Sequence, residues 1–371
     1  MTRHLSGKID RIGLPGSTLA FDGGSAPPRP LELDASDRRS AADALIDALE
    51  KLDVFASLRA VGHRVVHGMR HAEPEVVSSE LLDDLGRISP LDPEHLPAEI
   101  ELIRAFRERH PDLLQIACFD TAFHRTLPPV ARRLALPRRY QEQGVERYGF
   151  HGLSYSFLIE ELARLGDPSA TAGRVILAHL GNGASLAALL DGKCIDTTMG
   201  FTPTGGLPMG SRSGDLDPGL VGYLARTEGL TAEGFHRMVN EESGLLGISE
   251  TSSDMRDLLA REGEDGRAAE AVELFCYQAG KGIGAFAAAL GGLDTLVFAG
   301  GIGENAPAVR ARICARLGFL GLALDETRNA ASGGLISADV SRIKVRMIRT
   351  DEELMIARSV RRIAFGFESP A

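Results

Sequence analysis

The sequence lacks the features that would mark a membrane-bound, secreted or nucleic-acid-binding protein. No uncharged apolar run reaches the length of a membrane span, and no apolar segment near the N-terminus resembles a signal sequence. Basic residues are in deficit, because 41 Lys and Arg face 51 Asp and Glu and give a formal net charge of -10. Nucleic acids and anionic membranes attract basic surfaces, so this charge argues against both as partners. Recognition of phosphate must therefore be local, which fits a small phosphorylated ligand.

Cysteine is also scarce. The four cysteines, Cys118, Cys194, Cys276 and Cys314, are far apart and have neither the spacing of a metal site nor that of a redox pair. We expect reduced thiols in the core of a cytoplasmic protein. The remaining composition is ordinary: 371 residues, of which 44% are hydrophobic and 25% charged, suffice for a large core and two domains.

The most unusual stretch is residues 196–219, which contain six glycines and three prolines. These residues exclude a helix or a central strand, and the absence of a charge run argues against a disordered linker, so we predict a long ordered loop. Arg212 lies between Gly210 and Gly214, where its fork of N–H donors can face a phosphoryl group or a planar anion. The structural alternative is an Ω-loop in which Arg212 pairs with Asp215 or Asp217.

Two further glycine loops flank this one, and the three together predict a phosphate site. The turn of Gly181, Asn182 and Gly183 can point backbone N–H groups at phosphate oxygens, although Asn-Gly is also a common hairpin turn. The second loop, residues 301–306, matches Gly-x-Gly-x-x-Ala between a strand and a helix, and Asp325 follows at the distance of a ribose ligand. A Rossmann-like dinucleotide-binding enzyme therefore stays the alternative interpretation.

Hydrophobic periodicity predicts an α/β chain that repeats one plan twice. We predict strands at residues 5–12, 17–21, 58–66, 113–119, 174–180, 185–190, 193–198, 295–298 and 344–349. We predict helices at residues 36–52, with Ser36 as N-cap, at 78–87, 97–109, 154–165, 219–226, 231–241, 253–262, 268–290 and 306–317, and from a capping box of Thr350 and Glu353 onward. Asp120 ends a buried strand, where an open α/β sheet places its active site. The pattern indicates two α/β domains with a boundary between Asp120 and Gly152.

Six motifs together resemble the acetate kinase family, which includes propionate kinases. They lie at residues 62–68, 119–124, 147–152, 179–185, 200–218 and 301–305, in the order that the family has. The resemblance implies the acetate and sugar kinase/actin fold, with two βββαβαβα domains and the ligands in a cleft. It implies an N-terminal domain of residues 1–122 plus 353–371 and a nucleotide-binding domain of residues 123–352.

The implied reaction transfers the γ-phosphoryl group of ATP, reversibly, to acetate, propionate or another short carboxylate, giving an acyl phosphate and ADP. A carboxylate is already a nucleophile, so the protein aligns the reactants and neutralises charge. By the resemblance the catalytic residues are Asp120, His151 and Arg212, and the substrate residues are Arg64, Val66, Leu91, Phe150 and Pro203. ATP would be bound by His179, Leu180, Gly181, Asn182, Gly183, Asp254, Met255, Arg256, Gly301, Ile302, Gly303, Glu304 and Asn305. Glu352 would hold Mg²⁺, or Mn²⁺ in its place, through water.

Each assignment has a structural alternative. Arg64 and Asp120 could simply pair with each other, and His151 could be a core histidine bonded to a carbonyl. Glu352 could serve only the dipole of its helix, and Glu353 is explained by the capping box. A relative that binds nucleotide without catalysis would carry the same loops. The resemblance also implies a homodimer.

Two departures from the family pattern have consequences. Asp92 follows Leu91 where the family has histidine, and its charge should weaken carboxylate binding unless Asp92 turns away or His95 reaches the same space. The first domain begins with two strands that match the second and third strands of the meander at residues 174–198. We therefore expect the family's opening strand and its polar loop to be encoded upstream of Met1, and the 371-residue chain to be unstable or nearly inactive without them.

Overall fold

Two units make up the chain in the computed structural model: Met1–Ala122 with Glu353–Ala371, and Phe123–Glu352. The structure describes residues 1–10, 12, 17–23, 29–33 and 37–366, without the side chain of Arg38. Ser36, the predicted N-cap, lies outside the described residues. Among the described residues, no helix is both long enough and apolar enough to cross a membrane.

The first unit contains two small sheets and three helices before the chain enters the second unit. Its strands are β1 (Leu5–Asp10), β2 (Thr18–Gly23), β3 (Leu31–Glu32), β4 (Ala60–Val65), β5 (Glu75–Val76) and β6 (Leu114–Phe119), and its helices are α1 (Arg38–Glu50), α2 (Ser79–Ile88) and α3 (Leu96–Arg109). One sheet has the antiparallel order β1-β2-β3. The other has the order β4-β6-β5, in which β4 and β6 are parallel and β5 is antiparallel to β6.

Helices cover the second of these sheets. Apolar side chains of α2 and α3, including Leu85 and Ile103, form one core cluster with Val65 and Phe119 of the sheet. On β4, a Cβ added at Gly62 would lie 2.3 Å from Cγ2 of Ile356, so this glycine lets the last helix of the chain pack directly on the strand. Burial of such apolar side chains stabilises the unit by roughly 1.5–3 kcal/mol for each one.

The second unit is larger and has one continuous sheet. Its strands are β7 (Arg174–Leu180), β8 (Ala184–Leu190), β9 (Lys193–Thr197), β10 (Thr295–Ala299), β11 (Gly334–Leu335) and β12 (Lys344–Met347). Its helices are α4 (Pro129–Arg132), α5 (Arg138–Glu142), α6 (Gly152–Arg164), α7 (Gly219–Glu228), α8 (Ala232–Glu241), α9 (Gly244–Ser249), α10 (Met255–Arg261), α11 (Gly266–Leu290), α12 (Gly300–Asn305), α13 (Pro307–Ala315) and α14 (Glu326–Ala331). The helix after them, α15 (Glu352–Phe365), belongs to the first unit from Glu353 onward. The sheet order is β11-β12-β10-β7-β8-β9.

Both faces of this sheet are covered, which explains the nearly unbroken apolar sequences of β7, β8 and β10. On one face, Tyr155 and Leu158 of α6 pack in a cluster with Val175 and Val297. On the other face, a Cβ added at Gly282 of α11 would lie 2.8 Å from Cδ1 of Leu186, so the small residue brings the helix close to β8. The central strands of the second unit are therefore the rigid base of the loops that follow them.

The longer strands and helices were predicted at or near their observed positions, whereas two caps and the short elements were not. The N-cap of α1 is Asp37, whose carboxylate accepts from the Ser40 N–H in a capping box. Five short helices were not predicted, because four to six residues carry no clear periodic pattern; they are α4, α5, α9, α12 and α14. The two-residue strands β3, β5 and β11 were missed for the same reason.

The predicted capping box at the start of α15 does not form. The N–H of Thr350 donates to Glu304 Oε1 at 3.1 Å, and the Thr350 hydroxyl bonds the Ser154 hydroxyl at 2.8 Å. Glu353 is exposed and pairs with Arg3 at 3.0 Å. Tertiary partners thus engage the groups that the local motif would have used.

The four cysteines are free and buried, as expected. Burial raises the pKa of the Cys118 and Cys276 thiols to about 12, so these thiols stay protonated at neutral pH. Residues 198–218 form the predicted ordered loop, without strand or α-helix.

Candidate active site

Three parallel strands of the second unit end at the same edge of its sheet. β10 is parallel to β7 on one side and to β12 on the other, and His179 on β7 is paired with Ala299 on β10. The chain leaves these strands into Gly181, into α12 and into the segment of Thr350 to Glu352. The carboxyl edge of such a sheet is where α/β proteins place their ligands, so three of the predicted ligand segments lie together.

The first of these segments is the loop of Gly181, Asn182 and Gly183, here called the phosphate loop. The Gly181 N–H donates to the Gly183 carbonyl at 3.0 Å and closes a tight turn. A Cβ added at Gly183 would lie 3.1 Å from His151 Nε2 and 3.7 Å from Arg212 Nη1. An imidazole edge and a guanidinium therefore border the space next to Gly183, which is the donor set that a phosphoryl group requires.

His151 is held at this place by an unusual backbone. It has φ of 58°, in the left-handed region, and is the N-cap residue of α6. The preceding residue, Phe150, is buried, and its carbonyl accepts a 2.9 Å hydrogen bond from Nε2 of His124. Burial lowers the pKa of His124 to about 4, so this histidine is neutral and carries its proton on Nε2. His124, to which the sequence assigned no role, thus fixes the turn that presents His151.

The predicted alternative for His151, a bond to a carbonyl, is not the contact that Nδ1 makes. Nδ1 of His151 lies 2.8 Å from the hydroxyl of Ser185. The ring stacks on that of His179, with 4.2 Å between centroids and 19° between planes. A Cβ added at Gly181 would lie 3.7 Å from His179 Nε2, so both histidines face the phosphate loop.

Arg212 reaches the phosphate loop from the glycine-rich loop of residues 196–219. Its Nη1 donates to the carbonyl of the buried Pro203 at 2.9 Å. The two aspartates proposed as its structural partners have other contacts: Asp215 accepts from the Gly206 N–H and Asp217 from the Gly219 N–H, at 2.8 and 2.7 Å. The backbone of the same loop is tied to the phosphate loop, since the Gly210 N–H donates to the Asn182 carbonyl at 3.0 Å.

The segment of Gly301, Ile302, Gly303, Glu304 and Asn305 is helical, as part of α12, and not an open loop. A Cβ added at Gly181 would lie 3.6 Å from the Gly301 N, so α12 adjoins the phosphate loop. Glu304 Oε1 accepts from the Gly300 N–H and the Thr350 N–H at 3.0 and 3.1 Å, and so ties two of the three strand ends together.

Beneath α12 lies Arg310, which is fully buried. Its guanidinium donates to the carbonyls of Gly303 and Glu304 at 2.8 and 2.9 Å, and also to Asn329 and Ser332. Burial lowers the pKa of Arg310, because no carboxylate compensates the desolvated charge. The arginine therefore fixes the carbonyl end of α12 from below.

Asp254, Met255 and Arg256 have local structural contacts. Asp254 is the N-cap of α10 and accepts from the Arg256 N–H at 2.8 Å, while its carboxylate also pairs with the Arg256 side chain. The Arg256 guanidinium, first, and its N–H lower the pKa of Asp254. Met255 is buried, whereas the Arg256 side chain is 88% exposed. A role of these residues toward adenosine stays a prediction.

In the first unit, Arg64 and Asp120 come from the carboxyl ends of the parallel strands β4 and β6. Arg64 Nη2 lies 2.5 Å from Asp120 Oδ2. Asp120 is fully buried, while the Arg64 side chain is 38% exposed, so the guanidinium extends from a buried anchor toward solvent. The pairing that we considered as an alternative is therefore present.

Glu99 of α3 adjoins this pair and was not singled out in the sequence. Its Oε2 accepts from the N–H of the buried Val66 at 3.1 Å. Burial raises the pKa of Glu99 to about 7, although the Val66 N–H and the Arg64 charge act in the opposite direction. The sequence signal is its position among Leu96, Ile100 and Ile103, on the apolar face of α3.

Asp92, the departure from the family pattern, is buried and bonded through Oδ1 to Nδ1 of His95 at 2.8 Å. Leu91, which precedes it, ends a short 3-10 helix and is half-buried. The structure thus places His95 next to Asp92, and the effect of this pair on carboxylate binding stays a prediction. Residues that precede Leu91 in the chain line a pocket of about 170 Å³; they are Gly68, Met69, Arg70, His71, Asp84, Arg87 and Ile88. It contains none of the predicted site residues.

Glu352 is the first residue of α15 and is half-buried. Among the described residues, no group of three or more His, Cys, Asp or Glu side chains could hold a metal ion. Mg²⁺ in phosphoryl-transfer enzymes binds one or two carboxylates, phosphate oxygens and water, so the single carboxylate of Glu352 fits its chemistry without such a group.

In the dinucleotide-binding interpretation, Asp325 was the acidic residue that would bind the ribose. Asp325 Oδ1 accepts from the Arg328 N–H at 2.8 Å and caps α14. A carboxylate that serves as an N-cap is explained without a ribose.

Comparison with known proteins identifies close relatives. A model of the Acetokinase family matches residues 1–358. Acetate kinase of Rhodopseudomonas palustris (strain TIE-1) is 50% identical over 312 residues, which cover 83% of this chain and 78% of that protein. Propionate kinase of Citrobacter rodentium (strain ICC168) is 43% identical over 373 residues, which cover 98% of this chain and 91% of the relative.

Solved structures agree with these relatives. The crystal structure of Porphyromonas gingivalis acetate kinase has a TM-score of 0.85 at 37% identity and covers 95% of this chain and 91% of its own. A propionate kinase from Francisella tularensis subsp. tularensis SCHU S4 has a TM-score of 0.89 at 35% identity, with 96% and 92% covered. The predicted fold class is confirmed, and nothing in the comparisons favours a Rossmann-like enzyme.

Proposed function

This chain belongs to the Acetokinase family, and we propose that it transfers the γ-phosphoryl group of ATP to acetate or propionate, giving an acyl phosphate and ADP. The observation that carries this proposal is the donor set around Gly183. His151 Nε2 and Arg212 Nη1 border one small space beside a loop whose backbone turns tightly. Groups of this kind stabilise the charge of a transferring phosphoryl group.

The second unit would bind the nucleotide. The phosphate loop and His179 would hold phosphates, and α12 with residues 254–256 would hold adenosine. Arg212 and His151 would donate to the equatorial oxygens of the transferring group, where negative charge is spread in the transition state. The close association of α12 with the phosphate loop supports this assignment, because one nucleotide would span both.

The first unit would bind the carboxylate substrate. Arg64, anchored by the buried Asp120, would face the substrate carboxylate, and the apolar side chains of Val66 and Leu91 would accommodate a small acyl tail. The substrate carboxylate is ionised at neutral pH and attacks without a general base. The protein therefore supplies alignment and charge neutralisation rather than proton abstraction.

Mg²⁺, with Mn²⁺ as a substitute, would be held by Glu352 through water. The ion would supply positive charge that neutralises the charge of the phosphates. We also propose a cytoplasmic homodimer. Its free, buried thiols support a reducing compartment, and sedimentation analysis tests the dimer, for which the support is the family alone.

An acyl-hydroxamate assay tests the function. The chain is incubated with ATP, Mg²⁺ and acetate, propionate or butyrate, and trapped acyl phosphate is measured as the hydroxamate. For the complete enzyme we expect product with acetate or propionate, none without Mg²⁺, and less with butyrate. Binding of ATP without product would identify a catalytically impaired relative, and tight binding of NAD without product would restore the dinucleotide interpretation.

A further inference from the structure

Two histidines of the second unit face the phosphate loop with the same ring edge. His151 Nε2 and His179 Nε2 lie next to Gly183 and Gly181, and the two rings are stacked. Each ring turns its other nitrogen away from the loop, toward a buried hydroxyl. The groups behind the rings therefore decide which nitrogen carries the proton of a neutral imidazole.

Behind His151, two buried hydroxyls form a short chain. Nδ1 of His151 lies 2.8 Å from Ser185 Oγ, and Ser185 Oγ lies 2.5 Å from Tyr155 Oη. Ser185 and Tyr155 are both fully buried. Behind His179, Nδ1 lies 2.8 Å from Ser154 Oγ, which in turn lies 2.8 Å from the hydroxyl of Thr350. The two rings thus have matching supports, of which the chain behind His151 is the more deeply buried.

The direction of the hydrogen bonds in the first chain determines the tautomer of a neutral ring. When Tyr155 donates to Ser185 and Ser185 donates to His151, Nδ1 accepts and the ring proton lies on Nε2. This is the edge that faces Gly183.

We propose that Ser185 and Tyr155 are positioning residues that hold His151 as the tautomer with its N–H directed at the transferring phosphoryl group. The proposal rests on the proposed function for its kinetic consequence but not for the tautomer itself. Stacking on His179 keeps the ring from turning over, and the hydroxyl chain sets its proton. The wrong tautomer would present a lone pair to an anionic oxygen, which repels the charge that develops there.

Kinetics of Ser185→Ala and Tyr155→Phe test the consequence. We expect kcat of Ser185→Ala to fall about 10- to 100-fold, as for outer partners of functional histidines, and KM for ATP and acetate to change little. The kcat of Tyr155→Phe should fall by less, because Ser185 can still donate to Nδ1 of His151. The double variant should be no slower than Ser185→Ala, since the two residues act through one chain.

Ser169→Ala is the matched control. Ser169 is also a buried serine of the second unit, bonded to Asp167 and Thr295 at 2.9 Å each, with no contact to either histidine in the structure described. The Ser169→Ala variant should be less stable than wild type and have the wild-type kcat. A wild-type kcat for Ser185→Ala would overturn the proposal. A higher KM with an unchanged kcat would overturn it as well.

The tautomer is read directly by nitrogen NMR of histidine labelled with ¹⁵N, with the His151 signals assigned by their loss in His151→Asn. We expect the wild-type ring to carry its proton on Nε2, and Ser185→Ala to show both tautomers. A wild-type ring protonated on Nδ1 alone would overturn the proposal. This readout is independent of kinase activity, so an inactive chain with the expected tautomer would contradict the proposed function and leave the positioning role standing.

Discussion

The sheets of the two units have the same strand order and directions, with the exception of one strand. In the second unit, β7 is hydrogen-bonded to β10 on one side and to β8 on the other. In the first unit, β4, β6 and β5 have the order and directions of β10, β12 and β11, and β1 with β2 resembles β8 with β9. Among the strands that the structure describes, none joins β4 to β1. The expectation that a further strand belongs there stays a prediction.

This difference determines which groups each unit offers to a ligand. β7 is the strand that carries His179 and leads into the phosphate loop, so the second unit presents a glycine turn and imidazole edges. The first unit instead presents the Arg64 guanidinium, anchored by the buried Asp120 and adjoined by Glu99, whose pKa burial raises to about 7. Substitutions in the second unit should therefore act by changing the positions of donor groups. Substitutions in the first unit should act by changing charge, and their effects should depend on pH.

Arg310→Met should have the largest effect. It removes the guanidinium that holds α12 and leaves the buried carbonyls of Gly303 and Glu304 without their donor. We expect the free energy of unfolding of the second unit to fall by about 4 kcal/mol, measured by urea denaturation. Arg312→Met, on the same helix but in a partly exposed pair with Glu262, should cost about 1 kcal/mol or less. Equal losses would show that α12 does not depend on its buried arginine.

Arg212→Lys tests geometry at the site itself. Lysine keeps the charge but loses the planar guanidinium, whose Nη1 donates to the Pro203 carbonyl and borders the space beside Gly183. We expect the turnover rate to fall by roughly 10²-fold or more, with little change in ATP binding, as measured by initial rates and calorimetry. Arg237→Lys, an exposed arginine paired with Glu242, is the control and should keep its rate. An unchanged rate for Arg212→Lys would return Arg212 to a structural role.

Glu99→Gln tests the dependence of the first unit on charge. The folded state raises the pKa of Glu99 to about 7 from its usual value of 4.5, so it binds this proton more tightly than the unfolded chain. The stabilising effect of the protonated carboxyl is fully present below pH 4.5 and is lost as the pH rises to about 7. Relative to wild type, Glu99→Gln should therefore gain on the order of 2 kcal/mol between pH 5 and 8, measured by denaturation at each pH. Glu80→Gln, which is exposed on α2, should show no such gain.

Hydrogen exchange compares the two sheets directly. Backbone amides of β1 and β2 lie in a sheet that is partly exposed, whereas β7 and β8 are covered on both faces. We expect amides of β1 and β2 to exchange about tenfold faster or more, as measured by mass spectrometry of peptic fragments. Equal protection would mean that the edges of β1 and β4 are covered in solution.

Much of this architecture is predictable from the order of residues along the chain. Apolar runs and the apolar faces of the helices located the longer strands and helices, because these patterns reflect burial directly, whereas the short elements were missed. The glycine loops indicated phosphate, because few other residues allow so close an approach of backbone to ligand. What failed was local: the capping box at Thr350 is absent because Glu304 and Ser154 bond the groups it would use.

The sequence by itself determined the family, the order of the elements and the residue types at the strand ends, since each of these depends on neighbours along the chain. Only the tertiary structure decided which side chains meet. Ser185 stands 34 positions from His151 and Glu99 stands 33 positions from Val66, and no local pattern relates residues at such separations. Contacts of this kind follow from the packing of α6 on β8 and of α3 beside β4, and packing fixes the tautomer of one histidine and the pKa of one carboxyl.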